Sequence, residues 1–169
     1  MIILQLGHSR DMKPFFSTQE RKKELYDVLE SWRGTPYRHL VAVKGLGADC
    51  TLYVWEVMKE LNASGDDITN IPKEHGHIHY PKDRAMHSTE EVILNVLRSV
   101  PYLKEFSKDS KPMTGDICCY KFFKSTSHLA IFYEGYIYQS LAKGEVLPIN
   151  FNDRQFIKRL TAIFRVMEI

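Results

Sequence analysis

Apolar residues recur at helical spacing through the first hundred residues of the chain. Three segments, at residues 17–33, 49–61 and 88–97, each place most of their apolar side chains on one face of a helix. Residues 62–87 are polar and contain Gly, Pro, Asn and His, which is typical of a long surface excursion. We therefore predict three helices, with this excursion between the second and the third.

Residues suited to helix capping stand at the start of each segment. Residues 17–20 (Ser-Thr-Gln-Glu) and 88–91 (Ser-Thr-Glu-Glu) have the capping-box pattern. Asp49 is a suitable N-cap for the second helix, which places Cys50 in its first turn.

After Pro112 the pattern changes to short β-prone runs that are separated by turn residues. Tight turns such as Glu134-Gly135 and Lys143-Gly144 favour antiparallel pairing. The predicted strands cover residues 117–123, 129–133, 136–141, 145–149 and 161–167, and residues 153–160 are predicted to form one more short helix. The charged stretch at 104–111 is predicted to be a solvated loop.

Helices first and an antiparallel meander afterwards predict an α+β fold with the helices packed on the sheet. We expect a single domain over residues 1–169, with a helical part at about 1–100 and a sheet part at about 112–169.

The composition is that of an ordinary globular chain, with 44% hydrophobic and 26% charged residues and a net charge of +2. Lys and Arg are scattered, which argues against nucleic acid as the main partner. No apolar run approaches the roughly 20 residues of a membrane span. The N-terminal segment lacks the basic lead-in of a secretory signal, so we expect synthesis in the cytoplasm and leave the final location open.

Two residues are candidates for nucleophilic catalysis. Cys50 stands at a helix start, where the partial positive charge of the helix lowers a thiol pKa and backbone N–H groups can stabilise an oxyanion. His128 opens a predicted strand, which would hold its imidazole rigidly toward a helix packed across the sheet. Each residue also has a simpler interpretation, as a buried small side chain and as a surface histidine.

Four motifs in order resemble those of the NlpC-type peptidases, the papain-like murein hydrolases. They are Gly-Thr-Pro-Tyr at 34–37, Gly-Ala-Asp-Cys-Thr at 47–51, Gly-Asp-Ile at 115–117 and His-Leu-Ala-Ile at 128–131. The resemblance covers residues 34–141, and the stretch from Tyr80 to Glu91 is similar to the branch associated with phage tails.

The resemblance implies a papain-like fold and a cysteine peptidase with Cys50 as nucleophile and His128 as general base. The residue that orients the imidazole, usually a His, falls on Tyr138 by alignment, with Gln139 as the alternative that would imitate the Asn of papain. Because adjacent strand residues point to opposite faces, only one of the two can serve.

Further positions follow from the same resemblance. Tyr37 matches a tyrosine that lines the site, while Asp49 and Thr51 match positions that hold the free amine of a stem peptide. Leu52 stands where the family has a glycine, and its side chain could crowd the helix or reshape a pocket.

The implied function is hydrolysis of an amide bond in a murein stem peptide, with peptidoglycan and phage tail proteins as partners and delivery by a virion. Two alternatives stay open: a tail or binding protein that keeps the fold without turnover, and a thiol hydrolase acting on a non-murein amide. No cofactor is implied.

Metal and redox chemistry were also considered. His75, His77 and His79 alternate as metal ligands on a strand do, but no Cys or acid completes the set, so no metal site is predicted. Cys118 and Cys119 are adjacent on a predicted strand and are interpreted as core thiols.

Overall fold

The computed structural model describes residues 12–63 and 84–168 of the chain. Its helices are α1 (Gln19–Trp32), α2 (Cys50–Glu60), α3 (Arg84–His87), α4 (Val92–Ser99) and α5 (Arg154–Ile157). Its strands are β1 (Ala42–Val43), β2 (Gly47–Ala48), β3 (Leu103–Ser107), β4 (Ile117–Tyr120), β5 (His128–Tyr133), β6 (Tyr136–Ser140), β7 (Val146–Asn150) and β8 (Leu160–Val166).

The main sheet is antiparallel, in the order β3-β8-β4-β5-β6-β7. β4 to β7 form the predicted meander, whereas β8 returns to lie between β3 and β4. β1 and β2 form a small separate hairpin directly before α2. The predicted α+β class, with helices on an antiparallel sheet, is confirmed.

Two local predictions were wrong. β3 lies inside the stretch predicted as a solvated loop, because backbone pairing with β8 outweighs its polar composition and Glu105 forms a two-bond ion pair with Arg98. The capping box before α4 does not form: Glu91 is the N-cap without a side-chain hydrogen bond, and the Ser88 hydroxyl instead accepts from the Glu90 N–H.

Alternation along the strands produces two packed faces. The front core joins the sheet to α1, α2 and α4, and its members include Leu25, Tyr53, Leu97, Leu129 and Ile131. The rear cluster lies on the other face and consists of Cys118, Tyr120, Ala130, Ile137, Phe156, Leu160 and Ile163. No helix of residues 12–63 or 84–168 has both the length and the apolarity needed to cross a membrane.

The turn before β4 contains a glycine with a positive φ and, next to it, a buried ion pair. Gly115 has a φ of +91°, and a Cβ there would lie 2.0 Å from Cδ2 of Phe16. The adjacent Asp116 carboxylate is 1% exposed and accepts two hydrogen bonds from the Arg165 guanidinium, at 2.9 and 2.8 Å. Glycine is therefore required by both backbone conformation and space.

We predict that Gly115→Ala lowers the free energy of unfolding by about 3 kcal/mol, from the left-handed backbone and the clash with Phe16 together. Gly135→Ala is the matched control, because Gly135 has a φ of +88° with nothing near its Cβ position. It should lose only about 1 kcal/mol. Urea unfolding of both variants measures the difference, and equal losses would contradict the packing account.

Candidate active site

Cys50 is the first residue of α2 and is held against the sheet by its neighbours. The Asp49 carboxylate caps the helix by accepting from the N–H groups of Thr51, at 3.0 Å, and Leu52, at 2.8 Å. The Ser140 hydroxyl on β6 donates to the Ala48 carbonyl at 2.5 Å. The predicted cap is confirmed, and the thiol, in a residue 8% exposed, is fixed beside β6.

The Cys50 sulfur lies where β5 and β6 stop pairing. Their ladder ends at Ile131↔Tyr138, although β5 continues back to His128 and β6 on to Ser140. Beyond that pair, the N–H of Leu129 hydrogen-bonds to the sulfur, which also lies 3.7 Å from the Ser127 carbonyl oxygen. The sulfur thus contacts the backbone on both sides of His128.

The His128 imidazole reaches from β5 to β6, where its Nε2 hydrogen-bonds to Oε1 of Gln139. With the amide oxygen facing the ring, Nε2 carries the proton and Nδ1 is left as the acceptor. That tautomer is the one a general base needs for a thiol proton. In the structure, the side chain that contacts this imidazole from β6 is therefore that of Gln139.

The preference for Tyr138 as the orienting residue is corrected by this geometry. Tyr138 belongs to the front core, and its hydroxyl donates to Oε1 of Glu30 on α1 at 2.7 Å. Its neighbour Gln139 points to the opposite face, as alternation along β6 requires.

The imidazole packs among aromatic rings of the rear face. Its ring centroid lies 6.1 Å from that of Tyr120, 5.7 Å from Phe122 and 6.0 Å from Phe156. Within the described part of the chain, the sulfur and the imidazole share no hydrogen bond in this conformation. The thiol and the imidazole thus lie beside one stretch of backbone, with no hydrogen bond between them.

Burial keeps both groups neutral in the resting protein. Removal from water, reinforced by the Asp49 carboxylate, raises the pKa of the Cys50 thiol to about 11. Burial also lowers the pKa of His128 to about 4, although the Gln139 hydrogen bond partly offsets it. The expectation that the helix start lowers the thiol pKa is not met, because burial and Asp49 outweigh the helix.

The other predicted site residues surround the thiol. The phenol of Tyr37 is half-buried, and burial together with the nearby charges of Cys50 and Asp49 raises its pKa to about 12. Thr51 is 7% exposed, with its hydroxyl 3.9 Å from the sulfur. Asp49 is only 1% exposed, and besides capping α2 its carboxylate accepts from the Leu40 N–H; its predicted binding of a substrate amine stays a prediction.

Leu52, at the position where the family has glycine, does not disturb the helix. It is half-buried and packs against the front core while its N–H binds Asp49. The expected crowding of the helix does not occur.

The predictions about metals and redox chemistry have different outcomes. His75, His77 and His79 lie outside the described residues, so their arrangement stays a prediction. Elsewhere, across residues 12–63 and 84–168, no group of three His, Cys, Asp or Glu side chains is placed to hold a metal. Cys118 and Cys119 are buried free thiols, in the rear cluster and the front core respectively.

The backbone groups that hold the sulfur were missed at the level of sequence, since main-chain contacts leave no residue signature. For the contact between His128 and Gln139, in contrast, the sequence did contain a signal, which is the strand register. The two-residue turn Glu134-Gly135 pairs Tyr133 with Tyr136, and counting back from that pair sets Ala130 opposite Gln139. His128 shares a face with Ala130 and hence with Gln139.

Comparison with known proteins adds to this geometry. No family model and no curated protein matches the sequence. An NLP/P60 family protein described as similar to lipoprotein, from Staphylococcus aureus subsp. aureus Mu50, has a similar structure with a TM-score of 0.60 and 16% identity. The match covers 92% of this chain and 44% of that one.

An NlpC/P60 family protein from Bacillus cereus ATCC 10987 has a TM-score of 0.54 and 18% identity, over 87% of this chain and 40% of that one. The chain thus spans less than half the length of either protein. At these identities the likeness concerns the fold. The chain has the papain-like fold of the NlpC/P60 proteins.

Proposed function

We propose that the chain is a cysteine peptidase or amidase that hydrolyses an amide bond in a peptide of the bacterial cell wall. The observation that carries this proposal is the junction of β5 and β6. There a thiol at a helix start lies against the backbone of a histidine whose far nitrogen is bound by Gln139. The NlpC/P60 fold supports the choice of cell-wall peptide as substrate.

In the first step the Cys50 sulfur attacks the carbonyl carbon while its proton passes to Nδ1 of His128. Gln139 keeps the proton on Nε2, so that Nδ1 is available to accept the thiol proton. Catalytic hydrogen bonds are often long in a free enzyme and shorten in the substrate complex. The proposal requires such a shortening between sulfur and ring.

The oxyanion of the tetrahedral intermediate needs donors near the thiol. Asp49 already binds the Thr51 and Leu52 amides, so we assign this role to the Cys50 N–H with help from the Tyr37 hydroxyl. Collapse of the intermediate breaks the C–N bond, and His128 returns the proton to the leaving amine. Water activated by His128 then cleaves the thioester and restores the thiol.

The finer parts of the proposal rest on the sequence motifs. We assign a murein stem peptide as the substrate and phage tail proteins as partners, with the virion as the route of delivery. These assignments come from the resemblance of residues 34–141 and of the stretch around Tyr80.

A second candidate is a binding protein that keeps the fold without turnover. The buried thiol, with a pKa of about 11 and no hydrogen bond to the ring, favours it. The experiments that follow separate the two, because a binding protein would release no product under any condition.

Incubation of the protein with purified cell walls should release peptide fragments with new amino termini, detected by mass spectrometry. Cys50→Ala and His128→Ala should each reduce the rate by at least about a hundredfold, because they remove the nucleophile and the base. Unchanged release by both variants would exclude this mechanism, and no release by the intact protein would support the binding role.

Gln139→Leu should lower kcat by about tenfold to a hundredfold, the usual effect of losing a partner that orients a reactive group. Gln139→Glu should retain activity and move the acid limb of the pH profile upward, since a carboxylate stabilises the imidazolium. Tyr138→Phe, on the adjacent residue, removes only the bond to Glu30 and should cost about 1 kcal/mol of stability with kcat unchanged. The reverse order of effects would return the orienting role to Tyr138.

The acid limb of kcat/KM should lie near pH 4 in the free enzyme. Protonation of His128 abolishes the base, and burial keeps its ring neutral until the pH falls to about 4. Alkylation of the free enzyme by iodoacetamide should rise with pH toward about 11, following the thiol. An acid limb near 6.5 together with a thiol pKa near 8.5, the ordinary values, would contradict the buried neutral pair.

A further inference from the structure

An open pocket lies next to Cys50 and is lined by Thr51, the residue that follows it in α2. Its walls come from α2, α4 and the loop before β5, and its volume is about 690 Å³ including the part open to solvent. The apolar residues of its lining are Trp55, Val92, Ile93, Val96, Leu97 and Leu129. The proposed chemistry at Cys50 involves none of these apolar side chains.

The pocket and the reactive thiol share two residues. Thr51 lines the pocket with its hydroxyl 3.9 Å from the Cys50 sulfur, and Ser127 lines it with its carbonyl oxygen 3.7 Å from the same atom. An acyl or acetamide group bonded to that sulfur would therefore lie next to the pocket.

The wall on the loop side is held by hydrogen bonds from two other elements. Glu91, the N-cap of α4, accepts from the Thr126 N–H at 2.9 Å, and Ala85 of α3 accepts from the Lys124 N–H at 2.9 Å. The same loop leads directly into His128. The shape of the pocket is thus fixed together with the position of the base.

The charges on the pocket lining are paired with each other. Arg84 and Glu90 both line it, and the guanidinium and carboxylate form an ion pair at 2.5 Å. A ligand charge would have to compete with that pair, whereas an alkyl group gains from the apolar walls without disturbing it.

We propose that this pocket, the apolar subsite, takes an aliphatic group of the substrate adjacent to the scissile amide and thereby sets specificity. The inference rests on the proposed thiol chemistry at Cys50. It narrows the substrate class to amides that carry an alkyl side chain or alkyl-acyl group next to the cleaved bond.

The test uses N-alkyl iodoacetamides on the full chain, with methyl, butyl and hexyl groups and a methoxyethyl group as the polar counterpart of butyl. The second-order rate at Cys50 is measured by peptide mapping, which separates it from Cys118 and Cys119, and is divided by the rate with glutathione. We expect the ratio to rise by up to about fourfold per methylene that enters the pocket. The methoxyethyl compound should stay near the methyl value.

Two substitutions of Ile93 test whether the pocket produces this selectivity. Ile93→Trp fills the space and should flatten the rise between butyl and hexyl, whereas Ile93→Ala enlarges it and should extend the rise to longer chains. The methyl compound should react equally with both variants and the parent, which shows that the thiol is intact. Thermal unfolding checks that both variants fold. If Ile93→Trp does not fold, the change in chain-length dependence caused by Ile93→Ala is the deciding result.

A rate independent of chain length, or a dependence unchanged by both Ile93 variants, would overturn the apolar subsite. Either result would leave the proposed function standing if cell walls are still cleaved and His128→Ala abolishes cleavage. Absence of cleavage by the intact protein, with the chain-length dependence retained, would instead remove the hydrolase and leave an apolar binding site beside a thiol that does not turn over substrate.

Discussion

The rest of the site depends on the contacts that hold the Cys50 sulfur between β5 and β6, where these two strands diverge. The N–H of Leu129, which ordinary pairing would direct toward β6, instead reaches the sulfur, and the Ser140 hydroxyl binds the carbonyl just before the Asp49 cap. These bonds fix α2 on the sheet along its axis. They also place the Cys50 thiol against the same few residues of backbone that carry the His128 imidazole.

The burial that organises the site also keeps the thiol and the imidazole neutral. A thiol with a pKa of about 11 and an imidazole with a pKa of about 4 do not form an ion pair spontaneously. In the proposed mechanism, proton transfer from thiol to imidazole is therefore linked to attack on a bound carbonyl, where donors near the thiol stabilise the developing oxyanion. Aromatic rings enclose the imidazole, and the carboxylate that caps α2 lies next to the thiol.

Local signals in the sequence were sufficient for most of the framework. Asp49 before an apolar stripe predicted α2 and the thiol at its start, and the turn Glu134-Gly135 predicted the hairpin that carries His128. Preference for Tyr138 failed because alignment by motif ignores register, which a two-residue turn fixes. The insertion of β8 beside β3, the sulfur–Leu129 contact and the pKa of Cys50 depend on long-range packing and burial, for which a single sequence has no local marker.

The most direct test of the account is the protonation state of the His128 ring, measured by nitrogen-15 NMR with His128→Gln used to assign its signals. The account predicts a neutral ring at pH 7 with the proton on Nε2, and an Nδ1 resonance that shifts in Cys50→Ala but not in Cys118→Ala. A ring with its proton on Nδ1, or an Nδ1 resonance indifferent to the loss of the Cys50 sulfur, would contradict it.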